Sequence, residues 1–455
     1  MFWTNIYMKN FKNVLQYVCY LEVIYMKVFF HTLGCKVNQY ETQEMKENLR
    51  KNGYTITENA DEADIFVVNS CTVTSESDRK TRQCVRHFKN KYPQSIVVLT
   101  GCMPQSFPKM AENLVEAQIV LGNINNNLIV LALQEYFKTN KRVLWMEQHS
   151  KGEKFKSLGI SDFDERTRAI IKIQDGCDRY CSYCIIPKSR GFLRSKPIEN
   201  IKSETEKLAQ KGYKEIVLVG INLTSYGRNE FDLDLADACM AVAENPKIER
   251  VRLGSLEPDH LTDELIIKLS KCEKLCPQFH ISLQSGCDKI LKKMNRHYTT
   301  NEYERLCTKL RECFKDCALT TDIMVGFPFE NDDDFIETTE FAKKIAFEKI
   351  HIFPYSRRSG TVADKMEGQV ERCVKTKRAK YLSNIATEIR NNFLSNQIGK
   401  TLSVIIESQQ KNGNYQGYTA NYTPVEFTDS AEIGSNVQVK ITGISGDSCF
   451  GEIVK

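Results

Sequence analysis

Short apolar runs alternate with longer polar and amphipathic segments through most of the chain. This alternation is typical of parallel β-sheets covered by α-helices. The first runs predict three strands, at 28–33, 65–68 and 96–99. Later runs predict six more strands, at 169–174, 215–219, 250–253, 279–283, 320–325 and 349–353. We therefore expect an α/β protein in which an amino-terminal parallel α/β domain precedes a partial (βα)6 barrel, open on one side.

The pattern changes after a helix predicted over 375–394. Beyond residue 399 only short strand-like runs remain, at 402–407, 415–419, 425–428, 437–442 and 449–454. Five short strands in so little sequence indicate a small closed all-β barrel of a kind that often binds RNA. A plain SH3-like interaction barrel is the alternative.

These patterns divide the chain into five segments. Residues 1–25 are rich in aromatic residues but lack the features of a signal peptide, and they precede Met26 and the first predicted strand. We expect them to be an extension, with a start of the working protein at Met26 as the alternative. The other expected segments are the amino-terminal domain at 26–147, a polar linker at 148–164, the partial barrel at 165–396 and the small barrel at 397–455.

Composition and charge narrow the class of protein. The chain has 455 residues, enough for about three domains. Lys and Arg number 63 against 58 Asp and Glu, a net charge of +5 that suits local contact with RNA. No apolar run reaches the roughly 18 to 20 residues that span a bilayer. We expect a cytoplasmic monomer with no membrane partner.

The chain contains 17 cysteines. Because the cytosol keeps thiols reduced, metal binding or catalysis explains grouped cysteines better than disulfides do. Cysteines inside helix-like or strand-like stretches are expected to be small buried hydrophobic residues. These are Cys239, Cys272, Cys276, Cys307, Cys313, Cys317, Cys373 and Cys449.

Two groups of cysteines fit a metal centre. Cys177, Cys181 and Cys184 form a CxxxCxxC motif directly after the first barrel strand. A closed zinc site needs four ligands, and no fourth lies nearby, so a [4Fe-4S] cluster with one open iron is the better interpretation. Cys35, Cys71 and Cys102 each follow one of the first three predicted strands, and the carboxyl ends of parallel strands share one edge of a sheet. These three thiols could therefore converge, although spacing alone leaves their role open.

The CxxxCxxC motif, with Tyr183 before its last cysteine, resembles that of the radical S-adenosylmethionine (SAM) superfamily. The chain from Met26 onward resembles the methylthiotransferase family within it, in the order of all three domains. The segments that carry this resemblance are 31–42, 69–74, 100–102, 176–187, 190–195 and 355–361. It implies an auxiliary [4Fe-4S] cluster on Cys35, Cys71 and Cys102, and a radical SAM cluster on Cys177, Cys181 and Cys184.

The resemblance also implies binding residues. Strand ends at 218–222, 282–286 and 322–328 look like those that surround SAM, so we expect polar contacts to SAM from Asn222, Gln284 and Asp322. Support of the barrel is the alternative role. The last barrel resembles a TRAM domain, which implies tRNA binding. Further RNA contacts are expected from Arg357, Arg358, Lys377 and Arg378, although a solvated helix face is the alternative for the last two.

Segments 32–42 and 71–74 look like the MtaB-type branch. That branch adds a methylthio group to C2 of N6-threonylcarbamoyladenosine at tRNA position 37, in the anticodon loop. The family's chemistry implies one SAM as methyl donor, a second as source of the 5′-deoxyadenosyl radical, and an electron donor such as flavodoxin or ferredoxin. The alternatives are the isopentenyladenosine branch, a ribosomal-protein methylthiotransferase and a noncatalytic iron-sulfur protein that binds RNA or transfers electrons.

Overall fold

The structure is a computed structural model that describes residues 26–164, 167–228 and 230–454. The expected extension at residues 1–25 lies outside the described part. The described residues form two compact units. The first contains 26–151, 156–160 and 188–191, and the second contains 152–155, 161–187 and the rest of the chain from 192. Within the described residues, no helix combines the length and apolar character needed to cross a bilayer.

The first unit is built on a six-stranded parallel sheet in the order β2-β1-β3-β4-β5-β6. The strands are β1 (Lys27–Thr32), β2 (Thr55–Ile56), β3 (Ile65–Ser70), β4 (Ile96–Gly101), β5 (Ile119–Leu121) and β6 (Val143–Trp145). The three strands predicted from the sequence are β1, β3 and β4, at the centre of the sheet. The prediction missed β2, β5 and β6 because runs of two or three residues give no detectable period.

Helices cover both faces of this sheet. They are α1 (Lys36–Lys51), α2 (Ser75–Lys91), α3 (Cys102–Ser106), α4 (Pro108–Glu112) and α5 (Ile129–Thr139). Alternate strand residues face opposite sides, so Ile65 and Val67 pack against α1 and α5, whereas Phe66 and Val68 pack against α2, α3 and α4. Burial on both faces explains why β3 and β4 are continuously apolar through most of their length.

The second unit begins with the partial barrel. Its strands are β7 (Arg168–Lys172), β10 (Glu215–Val219), β11 (Arg250–Leu253), β12 (Ser255–Leu256), β13 (Gln278–Ile281), β14 (Ala318–Val325) and β15 (Lys349–Pro354). Only Gly254 separates β11 from β12, so these two act as one bent strand between parallel sheets of order β11-β10-β7 and β12-β13-β14-β15. The six expected barrel strands are confirmed. A short hairpin of β8 (Gln174–Asp175) and β9 (Arg194–Ser195) was not expected.

Helices connect these strands in the right order for repeated βα units. They are α6 (Ile186–Arg190), α7 (Ile198–Gln210), α8 (Leu235–Ala243), α9 (Asp263–Ser270), α10 (Asp288–Lys293), α11 (Thr300–Cys313) and α12 (Asp332–Ile345). A capping box begins each of α8, α11 and α12. In each box the side chain of the N-cap residue accepts from the backbone N–H three residues later, and the side chain of that later residue accepts from the N-cap N–H. The chain thus begins these helices soon after it leaves a loop or strand end.

The predicted connecting helix is α13 (Arg372–Ser395), and its Leu394 lies in the core of the last barrel. That barrel is closed, with the order β16-β17-β18-β20-β19. Its strands are β16 (Thr401–Gln409), β17 (Tyr415–Thr419), β18 (Pro424–Phe427), β19 (Asn436–Ser445) and β20 (Ser448–Ile453). The expected small all-β barrel is confirmed.

Arginines fasten this small barrel to the amino-terminal ends of the partial-barrel strands. Arg250, the first residue of β11, donates to the carbonyl of Tyr418 at 2.9 Å and to that of Ser403 at 2.7 Å. Arg168, the first residue of β7, pairs with Glu407 at 2.7 Å. Buried Glu215 at the start of β10 holds this arginine cluster together. The opposite, carboxyl ends of the strands carry the predicted site residues.

Candidate active site

Three cysteines of the first unit lie where its central strands end. Cys35 is the N-cap residue of α1, three residues beyond the end of β1. Cys71 follows the last residue of β3 directly, and Cys102 follows the last residue of β4 and begins α3. Since β1, β3 and β4 are neighbours in the parallel sheet, these three positions share one edge.

Asn38, in the first turn of α1, joins two of these thiols. The Sγ of Cys35 lies 3.7 Å from the Asn38 Oδ1, and the Sγ of Cys102 lies 4.0 Å from the same oxygen. The Asn38 Nδ2 donates to the carbonyls of Leu33 and Ser70, each at 2.9 Å. This buried amide therefore ties the loops after β1 and β3 together and brings two of the predicted ligands to one point.

A buried ion pair supports Asn38. The Arg190 guanidinium donates to the Asn38 Oδ1 at 2.8 Å and binds both carboxylate oxygens of Glu41, one of them at 3.0 Å. Arg190 and Glu41 are each 1% exposed. A buried bidentate pair holds both side chains in one geometry, and removal of either partner is costly because it breaks a buried charge pair.

Two glycines let the loops approach closely. Gly34 has φ of +111°, and a Cβ there would lie 2.9 Å from the Cys71 Cβ and 3.3 Å from its Sγ. Gly101 has φ of +94°, and a Cβ there would lie 2.5 Å from both the Asn69 Oδ1 and the Ser70 carbonyl oxygen. Cys71 is thus packed directly against the loop that carries Cys35.

The electrostatics of this first group fit a cationic iron-sulfur core. Although Cys35 as a residue is exposed, desolvation of its thiol raises the pKa, the Arg190 charge lowers it and neighbouring Cys102 raises it. Desolvation and then Cys102 raise the pKa of Cys71 to about 11. The three thiols are near enough to oppose one another's ionisation, and bound iron removes that opposition because it stabilises thiolates.

The second group lies in one loop of the second unit. Cys177, Cys181 and Cys184 follow β8 and precede α6. Ser182, between the last two, donates its N–H to the Met294 carbonyl at 2.9 Å and its hydroxyl to the Lys293 carbonyl at 2.8 Å. The Ser182 carbonyl accepts from the Ala363 N–H at 2.7 Å. The cysteine loop is therefore fixed against the end of α10.

Arg296, which the sequence reasoning missed, contacts this group. Its Nη1 lies 3.3 Å from the Cys181 Sγ, its Nη2 donates to the Ser282 carbonyl at 3.0 Å, and it forms an ion pair with Glu257. A buried arginine beside thiols favours the thiolate form, because the positive charge offsets the lost hydration. Its position between α10 and α11, far from the cysteines in the sequence, gave no local signal.

Ionisation behaves here as it does in the first group. Desolvation raises the pKa of Cys177 to about 12, and it also raises that of Cys184, with Cys181 adding to both. The Ile186 N–H points at the Cys184 Sγ over 3.4 Å, a contact that favours thiolate. In the described part of the chain, no three or more His, Cys, Asp or Glu side chains are arranged around a position for a metal ion. The donor set in both groups is three thiols, the ligands preferred by iron-sulfur clusters.

Two of the three predicted SAM contacts have a buried polar atom with no hydrogen-bond partner among the described residues. Asn222 follows β10, and its Nδ2 has no hydrogen bond, whereas its backbone N–H donates to Gln174 at 2.7 Å. Gln284 follows β13 with φ of +68°, and its Oε1 has no hydrogen bond. Asp322 on β14 pairs with the His280 Nε2 at 3.2 Å. Unpaired buried groups at strand ends fit a polar ligand that would satisfy them.

The four predicted RNA contacts separate into two kinds. Arg357 and Lys377 are exposed, and Arg357 pairs with Asp364 at 3.0 Å. Arg358 and Arg378 are buried, at 4% and 7% exposure. Arg378 binds Glu330 at 2.7 Å and Asp332 at 2.8 Å, so α13 uses it to pack against the start of α12. Arg357 and Lys377 are the two that present charge at the surface.

The cysteines expected to be structural are mostly buried. Cys239, Cys272, Cys276, Cys307 and Cys449 are buried, and Cys313 and Cys317 are half-buried. Cys373 was wrongly expected to be buried, because it lies on an exposed face at the start of α13.

Three family models match the chain in sequence order. Residues 27–122 match the uncharacterized protein family UPF0004, residues 171–342 match the radical SAM superfamily, and residues 396–454 match the TRAM domain. The superfamily implies one [4Fe-4S] cluster and SAM.

Curated relatives match along nearly the whole chain. The chain is 35% identical to threonylcarbamoyladenosine tRNA methylthiotransferase MtaB of Bacillus subtilis, over 91% of this chain and 93% of the relative. Identity to the MtaB of Thermotoga maritima is 37%, over 94% and 98%. The chain is 36% identical to tRNA-2-methylthio-N(6)-dimethylallyladenosine synthase of Clostridium botulinum, over 93% of this chain and 96% of the relative.

A solved structure supports the fold alone. The radical SAM methyltransferase TsrM of Kitasatospora setae aligns with a TM-score of 0.54 and 13% identity, covering 74% of this chain and 77% of that one. Relatives matched over nearly their full length and three domain matches in sequence order agree with the two groups of three thiols, and we conclude that the chain belongs to the radical SAM methylthiotransferase family.

Proposed function

We propose that this enzyme transfers a methylthio group to C2 of N6-threonylcarbamoyladenosine at position 37 of tRNA. The observation that carries the methylthio chemistry is a second set of three thiols, Cys35, Cys71 and Cys102, gathered at one sheet edge. The choice of this adenosine is supported by the names of the MtaB relatives. A radical SAM enzyme needs only one such set to cleave SAM. A second set with its own buried support fits a second [4Fe-4S] cluster dedicated to sulfur.

The supports of the first group favour a role in the same reaction as the second group. Arg190 lies six residues after Cys184 in the sequence, and it donates to Asn38, which contacts the thiols of Cys35 and Cys102. One short segment of chain thus carries a ligand of one proposed cluster and a support of the other. That continuity supports a single reaction served by both.

When bound, the proposed clusters would supply an electron for SAM cleavage and an iron site that holds the sulfur to be transferred. The chain's own residues bind and orient. Asn222 would donate from Nδ2 to SAM, and Gln284 would accept at Oε1, which satisfies both buried atoms. Arg296 keeps Cys181 in place by its contact with the sulfur and with Glu257. SAM serves both as methyl donor and as radical source.

RNA as the substrate is supported by the TRAM match and by the names of the relatives. Arg357 lies in the segment that follows β15, at the carboxyl edge of the barrel, where an exposed guanidinium can contact a phosphate. Lys377 adds a second exposed cation on α13. An unpaired loop base can enter the site without disruption of a duplex.

The substrate branch is decided by comparing modified nucleosides. tRNA from a strain that lacks the gene is digested and analysed by mass spectrometry, with the wild-type gene and a Cys177→Ala gene returned in parallel. We expect 2-methylthio-N6-threonylcarbamoyladenosine to disappear and to return only with the wild-type gene. Loss of the methylthio isopentenyladenosine instead would assign the other branch, the reaction named for the Clostridium botulinum relative.

Chemistry and cofactor content are tested on the purified protein. Incubated anaerobically with SAM and a reducing system such as flavodoxin or ferredoxin, it should form 5′-deoxyadenosine, which a noncatalytic iron-sulfur protein would not do. After anaerobic reconstitution we expect about eight irons per chain, and about four would refute the second cluster. The molar mass of the reconstituted protein in solution tests whether it is the expected monomer.

A further inference from the structure

A bulky residue occupies a turn position that normally requires glycine. β14 is followed by a tight turn over Phe327, Pro328, Phe329 and Glu330, in which the Glu330 N–H donates to the Phe327 carbonyl at 3.0 Å. Phe329 has φ of +70°. Proline in the second place and a positive φ in the third define a type II turn, where glycine is favoured because a Cβ is strained. Phenylalanine at this position therefore carries backbone strain.

The surroundings of this ring are shaped to hold it at the surface. The Phe329 N–H donates to the Gly368 carbonyl at 2.9 Å. A Cβ on Gly368 would lie 2.6 Å from the Phe329 Cδ1, so only glycine leaves room for the ring. Phe329 nevertheless remains 41% exposed. The strained backbone therefore does not serve to bury the Phe329 side chain. Backbone strain of this kind is concentrated at functional sites.

A cation accompanies the ring beside the radical SAM cysteine loop. The Lys293 Nζ lies 4.1 Å from the centre of the Phe329 ring. Lys293 is the last residue of α10, and its carbonyl accepts from Ser182, which lies between Cys181 and Cys184. An exposed aromatic face with a neighbouring lysine, at the carboxyl edge of the barrel, combines the two contacts that hold a single-stranded nucleotide.

We propose that Phe329 and Lys293 form a stacking platform for an unpaired nucleotide of the RNA substrate, its base on the ring and its phosphate at the ammonium. The platform rests on the proposed function, because it assumes that RNA reaches this edge of the barrel. Stacking is tolerant of base identity, so the platform holds the loop open beside the target base while other contacts select the sequence. Lys293 leaves the ring face when the base arrives and then pairs with the phosphate.

The test measures binding to the reconstituted full-length protein. The probe is an RNA hairpin that carries the anticodon loop with 2-aminopurine beside position 37, followed by anisotropy and by quenching of its fluorescence. Phe329→Gly removes the ring and suits the turn, so it should fold normally yet bind about tenfold more weakly and lose the quenching. Phe329→Trp keeps an aromatic face and should bind within about twofold of wild type. Equal affinity of wild type and Phe329→Gly, or equal loss in Phe329→Gly and Phe329→Trp, would overturn the platform.

Lysine variants test the phosphate contact. Lys293→Ala should lower the slope of log affinity against log salt concentration by about one phosphate contact. The control is Lys292→Ala, which removes the same charge from an exposed position on the same helix. It should change the slope less. Equal changes would remove Lys293 from the platform. Methylthio product formed by the wild-type protein is measured separately. A wild-type protein that modifies tRNA while the Phe329 variants bind normally would defeat the platform and leave the proposed function standing.

Discussion

The two thiol groups offer similar donor sets but are held together in different ways. Cys177, Cys181 and Cys184 come from one loop and are held by backbone contacts through Ser182. Cys35, Cys71 and Cys102 come from three strand ends and are assembled by buried side chains, above all Asn38. Three ligands in one loop lie close together in the sequence. The three ligands of the first group come together only when β1, β3 and β4 pair in the parallel sheet.

This difference indicates where each group is vulnerable. The second group should tolerate most changes outside its loop as long as the barrel folds, with Arg296 as the exception because it contacts the Cys181 sulfur. The first group depends on Asn38 and Arg190, which are not among its three predicted ligands, because they hold separate loops together. The two groups should therefore respond differently to the same kind of substitution.

Removal of a ligand from each group should give the largest effect. Cys177→Ala should abolish 5′-deoxyadenosine formation, whereas Cys35→Ala should retain it and abolish methylthio transfer. Each variant should lose about half of the iron, because each disrupts one cluster. Iron analysis and chromatography of the nucleoside product check both. Cys239→Ala, at a buried position in α8, is the matched control and should keep both activities.

Arg190→Gln should be the most damaging change that leaves every ligand intact. It removes the buried ion pair with Glu41, at a cost of about 3–5 kcal/mol, and it withdraws a donor from Asn38. Urea unfolding and iron content measure the effect, and we expect iron to be lost from the first group only. Addition of Glu41→Gln should restore part of the stability, since it removes the buried carboxylate charge that Arg190 balanced. A double variant no better than Arg190→Gln would contradict the ion-pair explanation.

Gly101→Ala should cost more than the same change at an open glycine. At Gly101 a Cβ would lie 2.5 Å from the Ser70 carbonyl oxygen, and the backbone has φ of +94°. Gly152 has φ of +81° but no neighbouring atom within 4 Å of such a Cβ. We expect about 1–3 kcal/mol from backbone strain at each site, with a further loss from the clash at Gly101 only. Thermal unfolding of the two variants, with equal midpoints as the contrary result, measures the difference.

The smallest effect concerns the metal-free chain. The pKa of Cys71 is raised to about 11 and that of Cys177 to about 12, so both are protonated at neutral pH. At equal access Cys71 should react with iodoacetamide faster than Cys177 at pH 9, because its lower pKa leaves a larger thiolate fraction. Peptide mass spectrometry follows the labelling. Their contribution to stability is present below the ordinary cysteine pKa and is lost as the pH rises through 11 to 12, since ionisation is easier in the unfolded chain. Identical labelling profiles would contradict the different environments.

The placement of the six predicted ligand cysteines at three strand ends and in one loop could be predicted from the sequence, because strand ends and a CxxxCxxC spacing are local patterns. The contact of Arg296 with Cys181 could not, because no period or spacing links a loop after α10 to a loop after β8. Charge pattern likewise failed to separate exposed cations from buried ones: Lys377 is exposed, while the adjacent Arg378 is buried against Glu330. Burial of a cation depends on a distant carboxylate, which local sequence does not reveal.

Arg250 and Arg168 fasten the small barrel to strand ends opposite those that carry the SAM and cysteine positions. A five-residue strand such as β10 is about 16 Å long. A macromolecule gripped by the small barrel would therefore be held at a fixed offset from the reacting atoms. A fixed offset of this kind would make recognition depend on the distance between the gripped part of the substrate and its modified base, as well as on the base itself.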